Sequence, residues 1–369
     1  MDRAAGTALL GVALALAAAT FGAQALYVPG VGLLLLGAVA GGWVRLAARS
    51  ARIVRAPLPA RVVEGEPLEL RIEVRAGAAG LPGGEVCDPA LSRPLPLRPT
   101  GQARRGLRGT ISFARRGMRE LGAPELRLAD PLALAERRVA GSGRAAVLVL
   151  PRIEPVSAAG GGGLSRAGLG RPGGAEEALE IDGLRPYREG TPASRIHWPA
   201  LARGRGLVER RLRAESEDRP LVVLDARGPG GEAGEEALDA AVRAAASLAR
   251  ALAAAGGCDL LLPGERRAAT LDTGLGGWPA AHARLALVAR TACPPLLRGP
   301  LRRGALVYVA ASRLERLPPE AVALARGPAL LVVPGGLPGR AAAFEVAGCR
   351  GYAAGGRRGS GARSREAVA

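Results

Sequence analysis

The sequence predicts a membrane-anchored, multi-domain chain: an N-terminal transmembrane helical hairpin, a small antiparallel β-sandwich, and then an α/β doubly wound unit. Three observations predict it. No charged residue occurs from Ala4 to Val44. The segment Pro67 to Arg75, "PLELRIEVR", alternates apolar and charged side chains with the period of a strand. From Leu221 onward, short apolar runs alternate with amphipathic stretches, the pattern of strands spaced by helices. At 369 residues the chain exceeds one ordinary domain of about 100 to 200 residues.

Composition removes several function classes. The four cysteines, Cys87, Cys258, Cys293 and Cys349, are too widely spaced for a disulfide framework or a zinc module and read as small buried apolar side chains. The two histidines, His197 and His282, leave little for a metal centre. The net charge of +18 comes from arginine alone, because the chain has no lysine. With only 3 Trp, 4 Tyr and 3 Phe it lacks the stacking platforms of a nucleic-acid binder, and nucleic acid is not an expected partner.

The first element is the hairpin, residues 1–48, with spans over 4–25 and 29–46. Each is near the roughly 20 residues that cross a bilayer, and Pro29 with Gly30 is expected to supply the reversal. Arg3 precedes the first span, Arg45, Arg49, Arg52 and Arg55 follow the second, and the turn carries no positive charge. By the positive-inside rule both ends, and so the soluble domains, lie in the cytoplasm, with the protein in the cell membrane. A cleaved signal peptide also starts with an arginine and an apolar run, but the length of the first stretch and the immediate second one favour the hairpin.

Residues 57–152 form the sandwich, with strands at Pro67 to Arg75, Gly106 to Phe113 and Ala145 to Leu150 and with "SRPLPLRP" as a loop. A glycine-rich linker over 155–175 cannot build a core. Its "GLGRPG", Gly168 to Gly173, matches G-x-G-x-x-G without the preceding strand a dinucleotide site requires. No cofactor and no small-molecule substrate is expected.

In the last unit, over 176–350, "LVVLD", Leu221 to Asp225, reads as a buried parallel strand delivering an aspartate to the carboxyl edge of a sheet. Glu235 to Ala255 is an amphipathic helix with Leu238, Val242, Ala245, Leu248 and Leu252 on its apolar stripe and Asp239, Arg243, Ser247 and Arg250 largely opposite. Further strands are expected at Asp259 to Leu262, Ala305 to Ala310 and Ala329 to Val333, and helices at Pro279 to Arg290 and Arg313 to Ala325, in a mostly parallel sheet covered on both faces. The Gly-, Arg- and Ser-rich tail, 351–369, is expected to be disordered.

Before that first strand, Arg185, Tyr187, Gly190, Arg195, Ile196, Trp198, Ala202, Arg203 and Glu209 follow one another in an order that resembles the bacterial domain of unknown function 58 family. That hallmark reads R-x-Y-x-x-G-D, then R-x-I-x-W, a basic A-R segment and a strand entering a von Willebrand factor A-like fold. Asp130, Pro131 and Leu134 resemble the family's upstream piece. One position departs: Thr191 stands where the family carries aspartate. The resemblance implies a von Willebrand factor A-like domain and a link to a MoxR-type AAA+ ATPase and neighbouring membrane proteins.

A Mg²⁺-binding domain of that kind resembles D-x-S-x-S after its first strand, since a hard cation takes several oxygens. Here Asp225 is followed by Arg227 and Pro229 in place of both serines, a degenerate loop in which Asp225 is expected to pair with an arginine or cap the loop. No metal is expected. Arg185, Tyr187, Arg195, His197, Trp198 and Arg203 are candidates for a contact surface, because interfaces favour Trp, Tyr and Arg. The alternative is packing, with Tyr187 and Trp198 under the first strand and the arginines paired with Glu209, Glu215 and Glu217; for Trp198, beside Ile196, packing is the expectation.

The functional expectation is therefore a membrane-anchored, non-enzymatic scaffold or adaptor. One alternative is a hydrolase built around His197, with Ser194 and Glu189 close in sequence, although no nucleophile elbow is present. Another is binding of anionic lipid or nucleic acid through arginines, Arg45, Arg49, Arg52 and Arg55 foremost.

Overall fold

A computed structural model describes residues 3–158, 181–187, 196–204, 206–212, 219–297, 304–325 and 327–354. The linker over 155–175, Gly190, Arg195 and the tail beyond 354 thus lie largely or wholly outside the described residues. The chain divides into two compact units, Met1–Leu150 and Pro151–Ala369.

The first unit opens with helices α1 (Arg3–Phe21) and α2 (Tyr27–Ser50), joined by a 3₁₀ turn over Gln24–Leu26. Both are long and apolar enough to cross a membrane. The reversal is not at Pro29 and Gly30 as the sequence suggests. Gly22 takes the left-handed φ of +64° that ends α1, while Pro29 sits in the first turn of α2, where a missing N–H removes no helical hydrogen bond.

Small residues hold the two helices together. Ala4, Gly11 and Ala18 are the buried positions of α1, seven apart, and Gly30, Gly37 and Val44 repeat that spacing on α2. A seven-residue repeat keeps one seam facing its partner, and small side chains let the backbones approach closely. A Cβ on Gly30 would come within 2.9 Å of the Ala15 amide nitrogen, and one on Gly37 within 2.8 Å of that of Ala8.

The base of the hairpin merges with the strands. The Ala4 N–H donates to the Leu134 carbonyl at 2.7 Å, and the Trp43 indole donates to the Ala79 carbonyl at 3.0 Å. Val44, Ala47 and Ala51 share a core with Ile53, Leu70 and Leu126. The gap expected between a hairpin ending at 48 and a sandwich starting at 57 is absent: α2 runs to Ser50 and the first strand begins at Arg52.

The strands of this unit are β1 (Arg52–Arg55), β2 (Arg61–Val63), β3 (Leu68–Arg75), β4 (Gly84–Cys87), β5 (Leu95–Leu97), β6 (Arg104–Ile111), β7 (Gly117–Leu121), β8 (Glu125–Ala129), β9 (Glu136–Ala140) and β10 (Ala145–Leu150). They make sheets β1-β3-β6, β5-β4-β8-β9 and β2-β10-β7. The alternation in β3 works as read: Leu70, Ile72 and Val74 point inward onto Val86, Leu126 and Leu128 of the facing sheet. Two expectations need correction. The sheets are not wholly antiparallel, because β10 pairs with β2 in parallel, which the long intervening chain permits. The proline-rich "SRPLPLRP" contains β5, an edge strand, where Pro96 has no inner ladder to break.

The second unit contains β11 (Ser157–Ala158), β12 (Ile181–Pro186), helix α3 (Trp198–Ala202), β13 (Val208–Leu212), β14 (Leu221–Asp225), α4 (Glu232–Gly256), β15 (Cys258–Leu261), β16 (Ala269–Leu271), α5 (Trp278–Ala286), β17 (Leu306–Ala310), α6 (Pro319–Leu324), β18 (Ala329–Pro334), β19 (Phe344–Val346) and β20 (Cys349–Ala354). Eight strands form one sheet in the order β11-β19-β20-β18-β17-β14-β15-β16. The inner four, β18, β17, β14 and β15, are parallel, and the outer pairings are antiparallel. The sheet is mixed, not mostly parallel: tight returns such as β15 to β16 can only be antiparallel.

Both faces of the inner strands are covered. Val222, Leu224, Val307 and Val309 lie under α4 and α5, and Leu221, Val223, Leu306 and Leu331 pack with Leu317 and Ala321 near α6. The amphipathic reading of α4 places its leucines correctly but not Asp239 and Ser247, which are buried. Ser247 accepts the Glu154 N–H at 2.9 Å, tying residues 151–158 to the helix. The helix expected from Arg313 is shorter, starting at Pro319, because consecutive prolines suit only the entry to a helix. The expected tail from 351 also begins too early: Gly351 to Ala354 complete β20, with Tyr352 buried.

Candidate functional site

The order of the inner strands reverses between β15-β14 and β14-β17, and in open α/β sheets ligands bind outside the carboxyl ends of strands at such a point. Asp225 ends β14 there. Strand alternation puts Leu221, Val223 and Asp225 on one face, the face of Tyr308 on β17. Val223 is level with Tyr308, so the phenol, leaning along the strand, reaches the aspartate.

The Asp225 carboxylate is fully buried and surrounded by donors. Arg227 reaches it twice, Nε to Oδ1 at 3.0 Å and Nη2 to Oδ2 at 2.7 Å, and the Arg227 N–H donates to Oδ1 at 3.0 Å. The Tyr308 hydroxyl donates to Oδ2 at 2.7 Å. The hydrogen bond to Asp225 raises the Arg227 pKa above its ordinary value; burial, followed by the same carboxylate, raises that of Tyr308. Arg227 thus stays charged and Tyr308 stays protonated at neutral pH.

This donor set does not fit a divalent cation. A hard cation takes about six oxygens, whereas Asp225 already holds a guanidinium, and Arg227 and Pro229 supply no side-chain oxygen. Among the described residues there is no group of three or more His, Cys, Asp or Glu able to hold a metal. The loop closes itself with a tethered positive charge. Replacing Tyr308 by Phe removes one charge-assisted hydrogen bond and should lower the stability of this unit by roughly 1 to 2 kcal/mol, read as faster hydrogen exchange in β14 and β17.

The second candidate is the Arg185 to Arg203 segment. β12 and β13 pair antiparallel with Arg185 opposite Glu209. The Tyr187 N–H extends the ladder to the Leu207 carbonyl at 3.1 Å, and the His197 N–H donates to the Val208 carbonyl at 2.9 Å. Ile196 is buried. His197 caps α3, its Nδ1 accepting the Ala200 N–H at 3.1 Å. Trp198 does not pack under the first strand as expected: it is 56% exposed, with Leu201 and Leu207 also exposed. As the first residue of a one-turn helix followed by Pro199, its side chain is turned outward while Ala200 takes the inner side. Arg203 is exposed as well. Gly190, Arg195, and the Glu189 and Ser194 that a hydrolase would need beside His197, lie outside the described residues.

Sequence reasoning left three structural sites without a role. Asp130, noted only as part of the upstream piece, accepts the N–H groups of Leu132 and Ala135 at 2.9 and 2.6 Å and so shapes the turn whose Leu134 carbonyl holds Ala4. Arg55, read as one of four membrane-facing arginines, is instead buried against Asp88. His282 is buried in α5, donates from Nε2 to the Pro151 carbonyl at 2.8 Å and stacks on Trp278. No local pattern marks the roles of Arg55 and His282, whose partners lie far off in sequence, whereas Asp130 acts on residues two and five positions further along the same turn. The expectation of buried thiols holds for Cys258 and Cys349, whose pKa values burial pushes up to about 12, but Cys293 is exposed.

Burial, assisted by the Arg250 charge, holds the His282 pKa below its ordinary value. The unfolded chain, titrating near about 6.5, therefore takes up the proton first. The stability contributed by neutral His282 is intact above that pH and is lost as pH falls through it. The thermal midpoint of wild type should drop more between about pH 7 and pH 5 than that of a His282→Gln variant, whose acid limb should be flatter.

No protein-family model matches the chain. Comparison with curated proteins likewise finds no match.

Proposed function

We propose that this protein is a membrane-anchored, non-enzymatic scaffold or adaptor whose second unit is a von Willebrand factor A-like domain presenting a protein-binding face. The observation that carries the reading is the closed Asp225 site. At the sheet edge where a ligand would enter, the buried carboxylate is neutralised by the chain's own Arg227 and held by Tyr308, an arrangement with neither an open metal position nor a free base. The strand order β16-β15-β14-β17-β18, with its antiparallel edge strand, agrees with an A-like sheet.

Helices α1 and α2 serve as the anchor, and the arginines beyond Val44 favour a cytoplasmic location for the rest of the chain. Exposed Trp198 and Arg203, on the segment that resembles the family hallmark, are the residue types that dominate binding energy at interfaces. The resemblance supports a MoxR-type AAA+ ATPase as partner.

The test mixes detergent-solubilised full-length protein with the purified MoxR-type ATPase of the same organism, with ATP and with ADP. Complex formation in at least one state, weakened by Trp198→Ala together with Arg203→Ala, is expected. Absence of a complex in both states, or a hydrolytic activity that His197→Ala abolishes without loss of stability, would overturn the proposal.

A further inference from the structure

We propose that two uncharged loops of the first unit, residues 76–83 and 99–103, form a second membrane contact beside the hairpin, seated among the phospholipid headgroups. The proposal rests on the reading of α1 and α2 as membrane spans. The first loop, "AGAAGLPG", leaves β3 after Arg75, and the second, "PTGQA", enters β6 at Arg104; neither carries a charge.

The depth of the loops follows from where they touch α2. Gly77 lies against the side chain of Ser50, the last residue of the helix, and two residues on the Ala79 carbonyl accepts the Trp43 indole N–H at 3.0 Å. The first loop therefore runs back along the helix toward the bilayer. Helical side chains lean toward the N-terminus, so the indole and the carbonyl it holds sit no further from the bilayer centre than the Trp43 backbone. Trp43 precedes Arg45, the charge that ends the apolar stretch, and an aromatic side chain at that place suits the membrane interface. From Trp43 to Ser50 the helix rises about 10 Å, against roughly 5 to 8 Å for one headgroup layer. A loop that covers this rise crosses the layer. The second loop is tied to the first, because Leu81 and Thr100 exchange N–H···O bonds at 2.9 and 3.1 Å. Pro99, Thr100 and Gly101 line one open groove with Trp43 and Ala79.

The strand ends below the loops carry the matching charge. Arg52, Arg75 and Arg104 stand directly opposite one another across β1, β3 and β6. Like charges so placed destabilise a sheet. Arg75 and Arg104 share the Glu73 carboxylate, and Arg52 donates to the Arg49 and Ala51 carbonyls. Three guanidinium groups against that carboxylate leave the row positive, at the level of Ser50. Phosphate oxygens, common to all phospholipid headgroups, are acceptors that match a guanidinium fork and offset the repulsion.

The test places the full-length protein in phosphatidylcholine nanodiscs and attaches an environment-sensitive fluorophore at Gly101→Cys. Cys293→Ser, which removes the exposed native thiol, serves as background and blank. Gly101 is exposed, and an added Cβ there meets nothing within 4 Å. Thr110→Cys is the control, exposed on the same strand roughly 20 Å along β6 from Arg104. Lipids carrying a nitroxide on the headgroup should quench the Gly101 probe several-fold more strongly than the Thr110 probe, and more strongly than mid-chain nitroxides do. If Gly101→Cys lowers the unfolding midpoint, a probe at Ala78→Cys, exposed on the first loop, decides in its place. Equal quenching of loop and control probes, or stronger quenching from mid-chain, in a protein that resists carbonate extraction, overturns the loop contact and leaves the membrane spans standing. Extraction by carbonate overturns the spans and the loop contact together.

Discussion

Replacing Asp88 by Ala is expected to destabilise the first unit by about 3 to 5 kcal/mol, enough to unfold a domain of ordinary stability. The Arg55 and Asp88 side chains are 1% and 0% exposed, with Nη2 and Oδ2 2.7 Å apart. The arginine also donates to the Gly143 carbonyl at 3.0 Å and the Gly122 carbonyl at 2.6 Å, while Asp88 accepts the Ala90 N–H at 2.9 Å. One guanidinium thus joins β1 to three loops far apart in sequence. Removing its counter-ion leaves a buried charge that water cannot reach, whereas replacing both partners by apolar residues of similar volume removes the charge altogether. Denaturant unfolding of the detergent-solubilised protein should show Asp88→Ala far below wild type and Arg55→Met with Asp88→Leu recovering most of the loss. A double variant as unstable as the single one would show that the backbone hydrogen bonds of Arg55, not the charge pairing, hold the unit.

Leucine at Gly11 is expected to force the hairpin apart. Its Cβ would lie 2.6 Å from the Gly30 carbonyl oxygen, a backbone atom that can move only if the helix moves. Overpacking of a close interface costs roughly 1 to 3 kcal/mol when side chains can yield, and here the neighbour is main chain, so the upper end or more is expected. Because the base of the hairpin shares its core with the strands, separation should also loosen β1 and β3. Gly6→Leu is the matched control, with nothing within 4 Å of an added Cβ. Thermal unfolding in detergent should show a large drop for Gly11→Leu and little for Gly6→Leu; equal midpoints would mean that the helices do not need close approach.

Much of the second unit was legible because buried strands and amphipathic helices write themselves as local patterns. Leu221 to Asp225 is all apolar until its last residue, and the structure makes it β14 with those bounds. β3 announced itself by alternation. Short strands such as β5, β16 and β19, three residues each, carry no period long enough to detect, and edge position made a proline acceptable in one of them. At the candidate site, the sequence pointed to Asp225 and to the arginine two residues on, because both sit in one loop. Tyr308, more than eighty residues away, could not be inferred.

By itself, the sequence determined two apolar helices long enough to span a bilayer, the strand and helix periods of the rest of the chain, and the lack of side-chain oxygens at Arg227 and Pro229 after Asp225, since each of these is a property of neighbouring residues. Only the tertiary structure decided which arginines face solvent and which are buried, that Trp198 stands exposed, and that the hairpin and the first strands share one core. Burial and pairing are set by which distant segments meet. A charged side chain reads the same in sequence whether water or an aspartate surrounds it.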